Sequence, residues 1–277
     1  SFRHVFSFCK AIFIFKNKTS VEDAIDEDYL GNGGLFESDI YEGTIKTAYL
    51  NTASSSKAVA LNLIIDVDGK ELRSQIWMTN RDGDVTYTDK RNETKKNLPG
   101  FNQVNSLCIL IAGKEVGDMD VEELTVKVYD YEAKKELPQA VDCFSELHGE
   151  RVNIAVQKQT IDKTKKNDKS GVYEATGETQ DINQIIKFFA ADKLVTLSEV
   201  AEFIKSLGGN YSDEIENGNI PKAVKKMEED STNYAVKWLE QNKGKTYVKA
   251  KKASKSTGKE FEGTSNSSEK KTSSLFD

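Results

Sequence analysis

The sequence predicts a mainly β fold with added helices: a five-stranded barrel, a helical C-terminal extension, and a tail too polar to order itself. Three observations predict it. Apolar residues recur with period two on both sides of an Asp-Gly turn. One helical pattern, opened by a proline, separates the third predicted strand from the fourth. After Gly244 lysine, serine, threonine and glycine replace the apolar residues.

The elements follow in order. Residues 1–34 read as a mobile N-terminal segment. Ser1 to Phe15 hold five phenylalanines, lack a clear cleavage site, and read as foreign to the fold that follows. Glu22 to Gly34 is acidic and ends in Gly-Asn-Gly-Gly, a flexible lead-in rather than a phosphate cradle. The first strand is expected over Asp39–Leu50 and the second over Lys57–Val67. In the second, Val59, Leu61, Leu63, Ile65 and Val67 line one face. Asp68-Gly69 turns the chain into a third strand, Glu71–Thr79.

Asn80 to Asn97 is too long for a simple connection and reads as a functional loop or ribbon. Pro99 to Ala112 carries Phe101, Val104, Leu107, Cys108 and Ile111 at helical spacing, and Gly113 stops it. Strands are expected over Leu124–Tyr131 and Arg151–Thr160, with a short helix over Val141–Leu147 between them. Val172–Phe189 extends the sheet as a ribbon. Helices are expected over Leu197–Leu207 and Lys222–Gln241. The resulting organisation is 1–34, a barrel domain over 35–190, a helical extension over 191–243, and a disordered basic tail over 244–277.

Composition excludes several classes. Net charge is −6, so the chain is not a globally basic binder. Its charge is unevenly placed: Ser20 to Glu42 has eight acids and no base, Lys243 to Lys259 seven lysines and no acid. Cys9, Cys108 and Cys143 are scattered, without a CxxC pair, and read as reduced thiols. His4 and His148 are too far apart to build a metal or triad site. No apolar run approaches the roughly 18 residues a membrane span needs. Phosphate-binding, dinucleotide, zinc-protease and serine-hydrolase motifs are missing. Asp66 and Asp68 flank a turn, where aspartate is ordinary turn chemistry rather than a nuclease centre. The expectation is a non-enzyme with no cofactor and no metal.

Five strands with a helix between the third and fourth suit a Greek-key barrel of the OB type, which offers a face and loops to oligonucleotides. Binding a single strand needs cations for phosphates and aromatic faces for bases. Three clusters meet that demand. Trp77 lies beside Arg73 on the non-core face of the third strand. Tyr87 lies among Lys90, Arg91, Lys95 and Lys96. Tyr173 follows Lys163, Lys165 and Lys166. Each cluster has an ordinary explanation in packing or solvation; together they flank one predicted barrel. The last residues, Ser273-Ser274-Leu275-Phe276-Asp277, put two apolar side chains and an acid on a polar tail, the composition of a peptide hook.

In order and spacing several segments resemble a known family. Gly34-Leu35-Phe36-Glu37-Ser38 leads into Ile40-Tyr41-Glu42-Gly43-Thr44-Ile45-Lys46. Trp77-Met78-Thr79-Asn80 and Leu98-Pro99-Gly100-Phe101 follow. Then come Lys134 to Pro138, Val152 to Gln159, Lys163 to Asn167, Thr176 to Thr179, Asn183, Phe189, Trp238 to Gly244, and Ser274-Leu275-Phe276. The chain resembles the podovirus-type bacteriophage single-stranded DNA-binding proteins, which have an OB fold.

That resemblance implies strand coating in phage DNA replication, recombination and repair, in the cytoplasm of the infected host, without catalysis. The hook reading, Leu275, Phe276 and Asp277, then has replication partners such as a polymerase or helicase to recruit, and the resemblance reaches its Leu275-Phe276 pair. A homodimer is left open. The basic tail, the trailing Asp277 and the stretch Gly208–Pro221 depart from the family pattern. Two other readings stay open at this point: a nucleic-acid enzyme subunit carrying an OB module, and an adaptor acting through its tail.

Overall fold

The computed structural model describes residues 34–130, 133, 135–166, 173–228 and 233–249, with the side chains of residues 130, 166 and 173 excepted. The chain divides after Gly34 into two units, and the fold described is that of the unit from Leu35 onward. The expected N-terminal segment, residues 1–34, falls outside the described residues save for Gly34, as do Leu275, Phe276 and Asp277.

The fold is mainly β. Strand β1 (Asp39–Thr52) is the hub. Its first half pairs antiparallel with β8 (Arg151–Lys166), its second half with β2 (Val59–Val67). One strand serves two partners through its two edges. Gly43 lies where the two pairings meet, and a Cβ there would sit 2.6 Å from Ile65 Cγ2 and 2.8 Å from the Asp66 carbonyl oxygen. A register shift follows between Ile45 and Thr47. Strand β2 turns through Asp68 and Gly69, both at positive φ, into β3 (Lys70–Trp77). The period-two pattern sorts as it must: Leu61, Leu63, Ile65, Val67, Leu72 and Ile76 are buried, while Glu71, Arg73, Gln75 and Trp77 face outward and are exposed.

A small ribbon, β4 (Thr86–Thr88) and β5 (Lys95–Asn97), leads into α1 (Pro99–Ala112). Pro99 starts the helix, and Gly113 ends it at φ 72 with its N–H on the Ile109 carbonyl. Val104, Leu107 and Cys108 enter the main core with the strands. Strands β6 (Glu122–Asp130) and β7 (Lys135–Cys143) form a second ribbon. Strand β8 pairs along its length with β9 (Tyr173–Phe189).

These strands make one eight-stranded sheet, completed by β10 (Thr246–Val248), which runs parallel to β8. The sheet is not closed: among the described residues no ladder joins β3 to β9. Those two strands run parallel, since each is two antiparallel steps from β1, and they approach one another. Helix α1 packs against both. Gly100 lies so close to β3 that a Cβ there would fall 2.0 Å from the Trp77 carbonyl oxygen. Gln103 donates its side-chain N–H to the Ile185 carbonyl of β9 at 2.9 Å. The helix thus occupies the opening that a closed barrel would not have.

Helices α2 (Leu197–Ser206), α3 (Tyr211–Glu216) and α4 (Ile220–Lys226) pack on the far side of α1, where Val200, Ile204, Ile220 and Val224 meet Ile109 and Leu110. Thr196 and Glu199 form a capping box at the start of α2. Helix α5 (Tyr234–Asn242) buries Ala235 and Trp238 against Ala155 and Phe189.

Four sequence expectations need correction. The sheet has eight strands where the sequence predicts a five-stranded OB-type barrel, and it is not closed. Val141–Leu147 is not a helix: β7 continues to Cys143, and only Ser145–Leu147 makes a single 3₁₀ turn. Lys222–Gln241 is broken into α4 and α5, and the Asn233 side chain caps the second by accepting the Val236 N–H. The tail does not lose order at Gly244, because Thr246–Val248 joins the sheet.

Candidate nucleic-acid interface

Trp77 is the last residue of β3, and its cross-strand neighbour is Ala60, too small to cover an indole. The residue is 43% exposed. Beyond it the chain is held tightly. The Asn80 side-chain oxygen accepts the N–H groups of Asp82 and Asp84, both at 2.9 Å. The Lys57 N–H donates to the Arg81 carbonyl at 3.0 Å, which ties the β1–β2 connection to this loop. The β4–β5 ribbon then sets Tyr87 opposite Lys96, with Tyr87 42% exposed. The Leu98 N–H returns to the Val85 carbonyl at 2.8 Å, closing the excursion at the start of α1. Loop anchoring therefore fixes two exposed aromatic rings on the segment that leaves the end of β3.

The cations around them differ in state. Lys96 is bonded to Asp89 at 2.7 Å, and this pair together with the Arg91 N–H holds the Asp89 carboxyl below its ordinary range. Lys57, Arg81, Lys90 and Lys95 are exposed, and no carboxylate partner engages their side chains among the described residues. Arg91 is also exposed. Asp82, Asp84 and Glu93 lie in the same loops, so the patch is mixed in sign with an excess of cations.

A second group lies at the other end of the sheet. Beyond Thr160 and Asp181 the β8–β9 pair runs on as a two-stranded arm as far as Lys166 and Tyr173. Lys163 contacts Glu178 at 3.1 Å; Lys165 is exposed and stands opposite Glu174. Lys166 and Tyr173 pair in register at the arm's described end; their side chains are outside the description. Strand β10 brings Tyr247, 52% exposed, onto the edge of β8 opposite Gln159. Lys249 reaches the Gln184 side-chain oxygen at 3.3 Å.

Arg73 belongs to neither group. It sits four residues before Trp77, about 13 Å along an extended strand, and is held between two carboxylates: Glu71 at 2.7 Å and Glu136 at 2.5 Å. Arg73, Glu71, Lys46 and Asp66 form one continuous ion network, with Lys46 to Asp66 at 2.8 Å. The Arg73 hydrogen bond is the first cause that lowers the Glu71 carboxyl.

The structure thus brings Trp77, Tyr87, Lys90, Arg91, Lys95 and Lys96 to one end of the molecule and the arm lysines to another. Sequence reasoning missed Lys57, Arg81 and Tyr247. Arg81 adjoins an Asp-Gly turn and could have been read as part of the loop patch. Lys57 and Tyr247 carry no such signal, because their placement depends on pairing with residues 24 and 88 positions away.

Among the described residues no three His, Cys, Asp or Glu side chains converge as a metal site requires. Cys108 is buried, and burial pushes its thiol up to about 12. The His148 ring nitrogen Nε2 accepts the Ala48 N–H at 3.0 Å, a structural link across the hub strand. No described helix is long and apolar enough to cross a membrane. No protein-family model matches the chain, and no curated protein matches its sequence.

Proposed function

We propose that this chain is a non-enzymatic protein that binds single-stranded DNA without sequence preference. In this reading it acts as the podovirus-type phage proteins do, coating unwound strands during replication, recombination and repair in the cytoplasm of the infected bacterial host. Trp77 carries the reading. A partly exposed indole on the outward face of a sheet, followed by an exposed tyrosine and exposed cations, has the chemistry that bases and phosphates require.

The strand order supports it. From β1 the order runs β2, β3 one way and β8, β9 the other, with β3 and β9 parallel and a helix between the third and fourth of these five strands. In this reading the five strands follow the order of an OB-type barrel, with the β6–β7 ribbon inserted after the helix and α1 set in the opening between β3 and β9. In this reading Tyr87, Tyr173 and Tyr247 offer further stacking faces. Lys57, Arg81, Lys90, Arg91, Lys95, Lys163, Lys165 and Lys166 neutralise phosphates. Leu275, Phe276 and Asp277 serve as a hook for replication partners such as a polymerase or helicase.

The test is an anisotropy titration of labelled oligo-dT and of duplex DNA with the full chain. Preference for oligo-dT is expected, with affinity falling steeply as salt rises. If about four cation–phosphate contacts form, log K falls with a slope of about −3 against log salt. Equal affinity for duplex, or no binding at low salt, contradicts the reading.

A further inference from the structure

The β6–β7 ribbon is fastened at two places. At its base Cys143 pairs with Tyr49 on β1, and the Phe144 N–H donates to the Ala48 carbonyl at 3.0 Å. Toward its far end Glu136 contacts Arg73 on β3. Strand β2 lies between β1 and β3. The ribbon therefore crosses the outward side of β2, the side on which Trp77, Gln75 and Arg73 stand.

Two features beneath it are incomplete as protein chemistry. The Asn62 side-chain oxygen accepts from Gln75 Nε2 at 3.2 Å, but Asn62 Nδ2 is buried with no hydrogen-bond partner among the described residues. A buried amide donor without an acceptor is costly to keep. Beside it, Arg73 turns one guanidinium nitrogen to Glu71 and the other to Glu136. Glu71 is on the same strand, so its pairing is local. Glu136 arrives from a different element, and its carboxylate occupies on the guanidinium the kind of position a phosphate takes.

We propose that the outward face of β2 and β3 under the β6–β7 ribbon is a closed subsite for one nucleotide of a single strand, in which Arg73 exchanges the Glu136 carboxylate for a phosphate. The inference rests on the DNA-binding reading and deepens it. Asn62 Nδ2 then gains an oxygen acceptor from the nucleotide, Gln75 stays beside it, and the freed Glu136 turns to solvent. The exchange is feasible because Arg73 and Glu136 are both partly exposed, with side-chain exposures of 47% and 33%, and ion pairs at such positions hold weakly. Trp77 stands two residues beyond Gln75 on the same face and about 13 Å from Arg73 along β3, so a strand that stacks on the indole and follows β3 passes Arg73.

The experiment compares the full chain with Glu136→Gln and with Glu136→Gln/Arg73→Gln. It follows oligo-dT affinity by anisotropy and amide exchange in Glu122–Asp130 and Lys135–Cys143. Glu136→Gln is expected to tighten oligo-dT binding about two- to five-fold, the release of one exposed ion pair, and the double variant to lose that gain. Exchange in the ribbon is expected to rise in Glu136→Gln without DNA, and in the unaltered chain when oligo-dT is added. Unchanged affinity in Glu136→Gln, or a ribbon whose exchange stays constant or slows on DNA addition, overturns the subsite while leaving DNA binding through Trp77 in place. Failure of the unaltered chain to bind oligo-dT overturns both.

Discussion

The molecule carries two long hairpins built alike and used differently. The β8–β9 arm runs past the sheet, presents Lys163 and Lys165 to solvent, and takes β10 along its base. The β6–β7 ribbon carries Glu122, Glu123, Glu136 and Asp142, and turns back over the sheet to hold Arg73. The two differ in what their charges engage: Lys163 and Lys165 lie among Asp162, Glu174 and Glu178 of the arm itself, whereas Glu136 of the ribbon reaches an arginine of another strand. In the proposed DNA-binding reading, the exposed arm lysines extend the surface offered to a polyanion and Glu136 competes with that polyanion for Arg73. The exposed indole of Trp77 lies beyond the stretch of β3 that the ribbon holds, and in the proposed reading it is the first contact a strand forms.

That contrast can be broken most forcefully at Trp77. Trp77→Ala removes the stacking face without touching the core, and oligo-dT affinity is expected to fall by about five-fold to about 150-fold, as loss of about 1–3 kcal/mol of stacking implies. The thermal midpoint should remain nearly unchanged, because the ring is exposed. An anisotropy titration paired with thermal denaturation reads both.

The next largest effect belongs to the arm. Lys163→Gln/Lys165→Gln is expected to weaken oligo-dT binding several-fold and to flatten the slope of log K against log salt by about 1.4, roughly 0.7 per lost phosphate contact. The corresponding change on the other ribbon, Glu122→Gln/Glu123→Gln, is expected to leave that slope unaltered, because neither residue holds Arg73. Titrations at three salt concentrations separate the two. A slope that changes equally in both variants would mean that only net charge matters, and the contrast between the hairpins would collapse.

The smallest effect is on stability at low pH. Asp66 is held below its ordinary range first by Lys46 and then by the Gly69 N–H, and Glu71 first by Arg73. A carboxyl lowered in the folded state contributes stability that is present above its unfolded value and is lost as pH falls through the folded one. Denaturant midpoints should therefore be flat near neutrality and decline below about pH 4. The Arg73→Gln variant should show a smaller decline, since it removes the first cause acting on Glu71.

How much of this was legible in the sequence follows from the range of the interactions. The β2–β3 hairpin could be read because alternation and Asp68-Gly69 are local signals. Helix α1 was legible for the same reason: Pro99 and Gly113 mark its ends within the segment itself. The β6–β7 ribbon was half read. Leu124, Val126 and Val128 alternate, but Pro138 breaks the pattern of the partner strand. It is tolerated there because β7 has β6 on one side and meets β1 only at Cys143. Strand β10 is three residues long and exists through its pairing with β8, so no local pattern announces it.

The candidate site divides in the same way. Tyr87 with Lys90, Arg91, Lys95 and Lys96 was legible because the cluster is contiguous in sequence. Arg73 was read as a phosphate contact, while its engagement by Glu136, 63 residues away, is a tertiary event that no spacing rule reveals. Lys57 joined the patch through one backbone hydrogen bond to Arg81.

The central claim is that Trp77 meets the bases of a single strand, and the most direct measurement is its own fluorescence. The chain has two tryptophans, and Trp238 is buried against β8 and β9, so Trp238→Phe leaves Trp77 as the sole reporter. Addition of oligo-dT is predicted to quench that emission saturably, with the quench reversed by high salt and duplex DNA producing little change. Emission that stays constant while oligo-dT is bound would contradict the account.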